Sequence, residues 1–193
     1  MDKHKELVET IRKSVMLSNE DVALCKQYFE PMTVAKNTIL DEEGKVSPYL
    51  YFVNSGYMRL FYYDQNGDEQ TNLLASSGQF VASFLCFIHQ TKATENVECV
   101  TDCDLLRIRN SDMKKLIDES EYFKIFSLTI FEQAIAATAS RANDLATLNA
   151  EQRYKKLIEQ QPELLQNIPI QYIASYLGIK PQSLSRIRKN IFK

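Results

Sequence analysis

Apolar residues recur along this chain with changing periods, and each change marks a boundary. In residues 3–16, Leu7, Ile11 and Val15 are spaced as on one face of a helix, with charges between them. Ser18-Asn19-Glu20-Asp21 then supplies a capping residue and an acidic first turn, which predicts a second helix to about Phe29, ended by Pro31. From Met32 to Arg109 the texture is that of short strands: Thr38–Leu40, Tyr49–Val53, Tyr57–Tyr63, Thr71–Ala75, Val97–Val100 and Leu105–Ile108. Arg59 interrupts an apolar run, as on a half-buried strand. Gly44, Gly56, Gly67 and Gly78 punctuate the region at separations of 12, 11 and 11 residues. Asn66-Gly67, between two strand-like runs, predicts a hairpin. Regular turns at this spacing point to an antiparallel sandwich, roll or barrel.

Helical periods return after Ser111. A short amphipathic helix over 111–119 turns Met113, Leu116 and Ile117 inward. The stretch from about Glu121 to Leu148 contains no Gly or Pro. Within it Leu128, Phe131, Ile135, Thr138, Ala142 and Leu145 alternate in steps of three and four, the spacing of a seam between paired helices. Alanines at 134, 136, 137, 139 and 142 would let two such helices approach closely, and Phe123, Phe126 and Ile130 form a second face that could pack on the β-region. A helix buried inside a monomer is the alternative, but length and two apolar faces favour a dimerising connector. Asn149 caps a further helix, Ala150–Gln160, and Pro162 and Pro169 separate it from a last unit.

The last unit changes the picture of charge. The 193-residue chain has a net charge of −2, unevenly spread. From Leu164 onward there is no Asp or Glu, while Lys180, Arg186, Arg188, Lys189 and Lys193 are all basic. A basic end on an acidic body is the footprint of polyanion contact. The same residues have the pattern of two short helices crossing at a tight turn: Ala174 where the helices meet, Gly178 for a left-handed turn, apolar Ile173, Leu177, Ile179, Leu184 and Ile187 between them, and Pro181 to open the second helix. That helix would turn Leu184 and Ile187 inward and Gln182, Ser183, Ser185, Arg186 and Lys189 outward, a shape that fits a major groove. Arg186 could bond guanine and Gln182 adenine, with Ser183, Ser185, Arg188 and Lys189 on phosphates. A helical hairpin with a solvated basic face is the bland alternative.

On these residues the chain resembles the CRP/FNR superfamily, the cyclic-AMP receptor protein and its relatives, over about residues 20–193. Gly178 to Lys189 is similar to the family's recognition helix. The resemblance implies an α+β fold: an N-terminal antiparallel β-roll of the cyclic-nucleotide-binding, jelly-roll type, a long dimerisation helix and a C-terminal helix-turn-helix. The expected division is 1–120, 121–148 and 149–193. It also implies a homodimer that binds palindromic sites in double-stranded DNA and recruits or blocks RNA polymerase.

The family's nucleotide cassette would fall on Gly78, Phe80, Val81, Ala82, Ser83 and Thr94, the candidate pocket for an effector of unidentified chemistry. By the resemblance, cyclic-nucleotide binders carry Gly-Glu where this chain has Ala82-Ser83, and Arg where it has Ala93. A buried phosphate would lack its charge partner, which is expensive, so cyclic-AMP binding is not expected. Phe84, Leu85, Phe87 and Ile88 could line an apolar pocket instead, although packing against the connector is favoured.

Other chemistry finds little support. Cys25, Cys86, Cys99 and Cys103 lack C-x-x-C spacing and are expected as buried, reduced thiols, with no N-terminal cluster for iron–sulfur ligation. His4 and His89 are far apart, so neither a metal nor a haem is expected. No nucleophile–base spacing, paired carboxylates or phosphate loop suggests an enzyme. A ligand-binding module whose helical tail docks a protein partner stays open. No signal peptide or membrane span is recognisable, so a cytoplasmic, bacterial-type regulator is the expectation. Two departures from the resemblance bear on the DNA-binding unit. The chain ends about two residues after Ile191, without the β-wing of many relatives, and 161–167 is too short for a β-hairpin.

Overall fold

The computed structural model describes residues 2–191. Helix α1 (Lys5–Arg12) buries Leu7, Val8 and Ile11 and ends before the predicted limit, although Val15 beyond it is also buried. Helix α2 (Asn19–Tyr28) starts at a reciprocal cap: the Asp21 N–H donates to Ser18 Oγ at 3.1 Å and the Ser18 N–H donates to Asp21 Oδ2 at 2.9 Å.

Two four-stranded antiparallel sheets follow. One has the order β1 (Glu30–Val34), β8 (Cys103–Arg109), β3 (Tyr49–Ser55), β6 (Phe80–Val81). The other runs β2 (Thr38–Asp41), β7 (Asn96–Cys99), β4 (Met58–Tyr63), β5 (Glu69–Ala75). Pro31, expected only as a helix terminator, lies inside β1, an edge strand where its missing N–H is tolerated. The predicted Asn66-Gly67 turn joins β4 to β5 with Gly67 at φ +81°. Gly56 is constrained more tightly, at φ +94°, because a Cβ there would lie 2.5 Å from the Asp102 carbonyl oxygen.

Between the sheets lies a core of Tyr51, Val53, Met58, Leu60, Val81, Val97 and Leu105. A second core packs the outer face of the first sheet (Leu50, Phe52, Leu106, Ile108) against α1, α2, α4 (Asn110–Glu119) and the start of α5 (Glu121–Thr147). Phe123, Phe126 and Ile130 of α5 are all buried there, as their spacing predicts, and each contributes about 1.5–3 kcal/mol. Helix α3 (Phe84–His89) also packs on this layer, with the Phe84 and Phe131 rings edge to face at 6.1 Å. After α5 come α6 (Ala150–Gln160), α7 (Leu164–Asn167), α8 (Ile170–Tyr176) and α9 (Pro181–Ile191). Their core is Tyr154, Leu157, Leu164, Ile168, Ile173, Ala174, Leu177 and Leu184, and Leu74 and Val100 of the β-domain join it. The chain therefore has an antiparallel β-roll core, a long connecting helix and a compact helical end.

Candidate nucleic-acid interface

The demands of a tight inter-helix turn are met locally. Ala174 is fully buried where α8 and α9 cross. Gly178 adopts φ +67°, and the Ile179 N–H donates to the Ala174 carbonyl at 3.0 Å, closing the helix end. A Cβ at Gly178 would lie 3.1 Å from Leu145 Cδ2, so the turn sits directly on α5. Two arginines secure the carbonyls just before it. Arg141 Nη1 donates to the Tyr176 carbonyl at 2.6 Å, and Arg153 Nε donates to that of Leu177 at 3.0 Å.

This geometry presents α9 to solvent. Leu184 is buried, Ile187 is half-buried, and Gln182, Ser185, Arg186, Arg188 and Lys189 are exposed. Among the described residues, Arg186, Arg188 and Lys189 form no ion pair. Two predicted contacts change. Ser183 is half-buried rather than fully outward, and Ser185 Oγ donates to the Pro181 carbonyl at 3.1 Å, engaging its proton within the helix.

The helical end is seated on the β4–β5 hairpin. Ser175 Oγ accepts from the Thr71 N–H and donates to the Glu69 carbonyl, each at 2.8 Å. Arg141 Nη2 donates to the Thr71 carbonyl at 2.9 Å, and Asn167 Nδ2 donates to the Tyr57 hydroxyl at 2.9 Å. At the centre is Arg59, only 1% exposed. Its Nε meets Glu98 at 2.5 Å and its Nη2 meets Glu69 at 2.6 Å. Its guanidinium carbon lies 3.9 Å from the Phe61 ring centroid and 3.6 Å from that of Tyr172 on α8. Sequence reasoning marked Arg59 only as a strand polar position, because its partners lie far apart in the chain. Arg141 did carry a signal: it is the only Lys or Arg between Lys124 and Arg153.

The six cassette residues do not share one open pocket. Gly78 forms a turn at φ +84°, Val81 belongs to the core between the sheets, and Ala82 to the helical core. Phe80 stacks tilted on Phe52 at 4.9 Å and edge to face on Phe126 at 5.8 Å. Ser83 is buried and Thr94 exposed. Burial pushes the Cys86 thiol up, but the polar groups of Ser83, Thr91 and Thr94 outweigh it and hold it below the usual thiol range. Ala93 points inward and Lys92 outward, so no cation replaces the missing arginine there. The four cysteines are free and buried.

Of the predicted seam on α5, Leu128 (59%) and Ile135 (69%) are prominently exposed, with Thr138 and Ala142 on the surface. Leu145 is exposed on one side and touches Gly178 on the other. Phe131 departs from the seam, turning half-buried towards Phe84. Ile125, at 46%, extends the exposed stripe towards the helix start. No helix among the described residues is long and apolar enough to cross a membrane.

Residues 31–120 match the cyclic nucleotide-binding domain family. The whole arrangement is similar to solved regulators at low identity. CLP, the c-di-GMP-responsive global regulator of Xanthomonas campestris, matches with TM-score 0.69 and 18% identity, over 90% of this chain and 91% of its own. FixK2 of Bradyrhizobium japonicum matches with TM-score 0.75 and 15% identity, over 85% and 84%. The catabolite activator protein of Thermus thermophilus matches with TM-score 0.58 and 20% identity, over 91% and 84%. The chain shares the fold of these solved structures. That fold extends past the matched domain through the connector to the helical end. No curated protein sequence matches the chain.

Proposed function

We propose that this CRP/FNR-like chain is a non-enzymatic, cytoplasmic transcription regulator that binds palindromic double-stranded DNA as a homodimer. The observation that carries it is α9: a helix held by a Gly178 turn, with Gln182, Arg186, Arg188 and Lys189 displayed to solvent and no acidic residue beside them on the helix. Arg186 and Gln182 suit base edges; Arg188 and Lys189 suit phosphates. The α8–α9 pair acts as the helix-turn-helix, and α9 enters the major groove. The exposed stripe Ile125, Leu128, Ile135, Ala142 and Leu145 supports pairing of two connectors. Two-fold pairing offers α9 in duplicate, which matches half-sites about one helical turn apart. Recruitment or obstruction of RNA polymerase would follow from occupying such a promoter site.

The sensor domain does not bind cyclic AMP in the usual family manner. Supporting this are inward Ala93 and outward Lys92 where a phosphate would need a cation. Any effector is of different chemistry. Footprinting on the DNA upstream of the chain's own gene and its neighbours tests the function. A protected near-palindrome supports it. A monomer that ignores every duplex in dilute salt would end it.

A further inference from the structure

The β4–β5 hairpin carries Asp64, Asp68 and Glu69 around its tip, and the docked helical end brings that tip to the entrance of α9. Asp68 and Glu69 face Gly178, Ile179, Lys180 and Pro181 across a cleft of about 490 Å³. Lys180 Nζ reaches Asp68 Oδ2 at 2.7 Å. Asp68, foremost, and Asp64 hold the lysine above its ordinary range. Lys180 is the last residue before α9, whose positive N-terminal end also favours an anion.

We propose that this acidic tip is an intramolecular mimic of the DNA backbone, an autoinhibitory contact that occupies the start of the recognition helix until DNA displaces it. The inference rests on the DNA-binding function proposed above. A phosphate approaching the N-terminus of α9 would seek Lys180 and the helix end, and both already face carboxylates. The ion pair is exposed, at 73% and 53%, so it does not fix the arrangement. The tip is positioned instead by what lies behind it: Ser175 on the β5 backbone, and Arg59 buried under Tyr172. Weak, screened charges on a rigid support can be exchanged for DNA phosphates without unfolding anything. Asp64 also organises the turn, accepting from the Asn66 N–H at 2.8 Å and the Asp68 N–H at 3.1 Å, and asparagine can keep that acceptor.

The test measures fluorescence anisotropy of a labelled mixed-sequence duplex, long enough for two half-sites, across a salt series. Asp64→Asn/Asp68→Asn should bind about five- to tenfold tighter than the wild-type chain, with a salt slope steeper by about one. Asp68→Asn alone, which leaves the Asp64 turn intact, should give part of that gain. Glu9→Gln/Asp118→Asn removes the same charge far from α9 and should stay within about twofold of wild type. In a Lys180→Ala background the hairpin substitutions should gain little. Equal effects from the hairpin and control pairs, or no tightening at all, would overturn the inference while leaving DNA binding intact. If wild type and every variant ignore the duplex at low salt, DNA binding itself falls, and the gate with it.

Discussion

Arg59, between Met58 and Leu60, and Arg186, between Ser185 and Ile187, do opposite things. Arg59 is sealed between Phe61 and Tyr172 with two carboxylates, while Arg186 stands free in solvent. Removing Arg59 leaves Glu98, only 6% exposed, as an uncompensated buried charge. Arg59→Met should therefore lower stability by about 3–5 kcal/mol, measured by urea denaturation. A Glu98→Gln change in the same chain should recover part of it. Removing Arg186 costs the fold nothing, but Arg186→Ala should relax base preference at one position of each half-site by about 1–3 kcal/mol, read by competition with base-substituted operators. Lys189→Ala should instead weaken all sequences alike and reduce the salt slope by about one. Unchanged preference in Arg186→Ala would remove that side chain from the base-reading set. Residue type alone cannot separate these arginines. The α9 set was legible because its partners lie within one turn of chain, whereas Arg59 depends on Glu69, Glu98 and Tyr172, brought in from three other segments.

Elements with a sustained period were legible to within a few residues: α5, α6, α9 and six of the strands all lie where their patterns place them. Those that failed to show are short or carry mixed signals. Strand β1 holds Glu30, Pro31 and Thr33, and pairs only at an edge; β6 is two residues long; α7 is a single turn replacing the absent hairpin. On α5 the two faces separate cleanly in sequence, except at Phe131. A seven-residue repeat places Phe131 with Leu128 and Ile135, but α3 offers it an aromatic partner that no local pattern reveals. The stripe itself makes a sharp prediction. Ile135 is 69% exposed in one chain, so Ile135→Asp should fold normally yet run as a monomer in light scattering, with DNA affinity falling sharply. A dimer that survives this change would move the pairing surface elsewhere.

At the scale of the molecule, the fold is that of a cyclic-nucleotide-binding roll, but its cassette has been filled from within. Phe80 closes against Phe52 and Phe126. Cyclic AMP should therefore leave the thermal midpoint unmoved at concentrations that would stabilise a binder by about 2.7 kcal/mol, a hundredfold over its dissociation constant. A clear upward shift in calorimetry would show that another cation reaches the phosphate. The resemblance visible in the sequence was strongest at the two ends of the mechanism, turn-rich roll and basic helix. What couples them was not visible, because α8 and α5 are seated on β5 largely through its backbone groups: the Glu69 carbonyl and Thr71 N–H meet Ser175 of α8, and the Thr71 carbonyl meets Arg141 of α5.

Arg141 reaches from the middle of α5 to the carbonyl of Tyr176, at the threshold of the Gly178 turn. It stands six residues beyond Ile135, a distance of about 9 Å along the helix axis. That span behaves as a ruler with a phase as well as a length. A single residue inserted between Ile135 and Arg141 would rotate everything downstream by about 100° about the connector. Ala142 and Leu145 would leave the face they share with Leu128 and Ile135, and the basic rod would swing by more than a quarter-turn relative to that face.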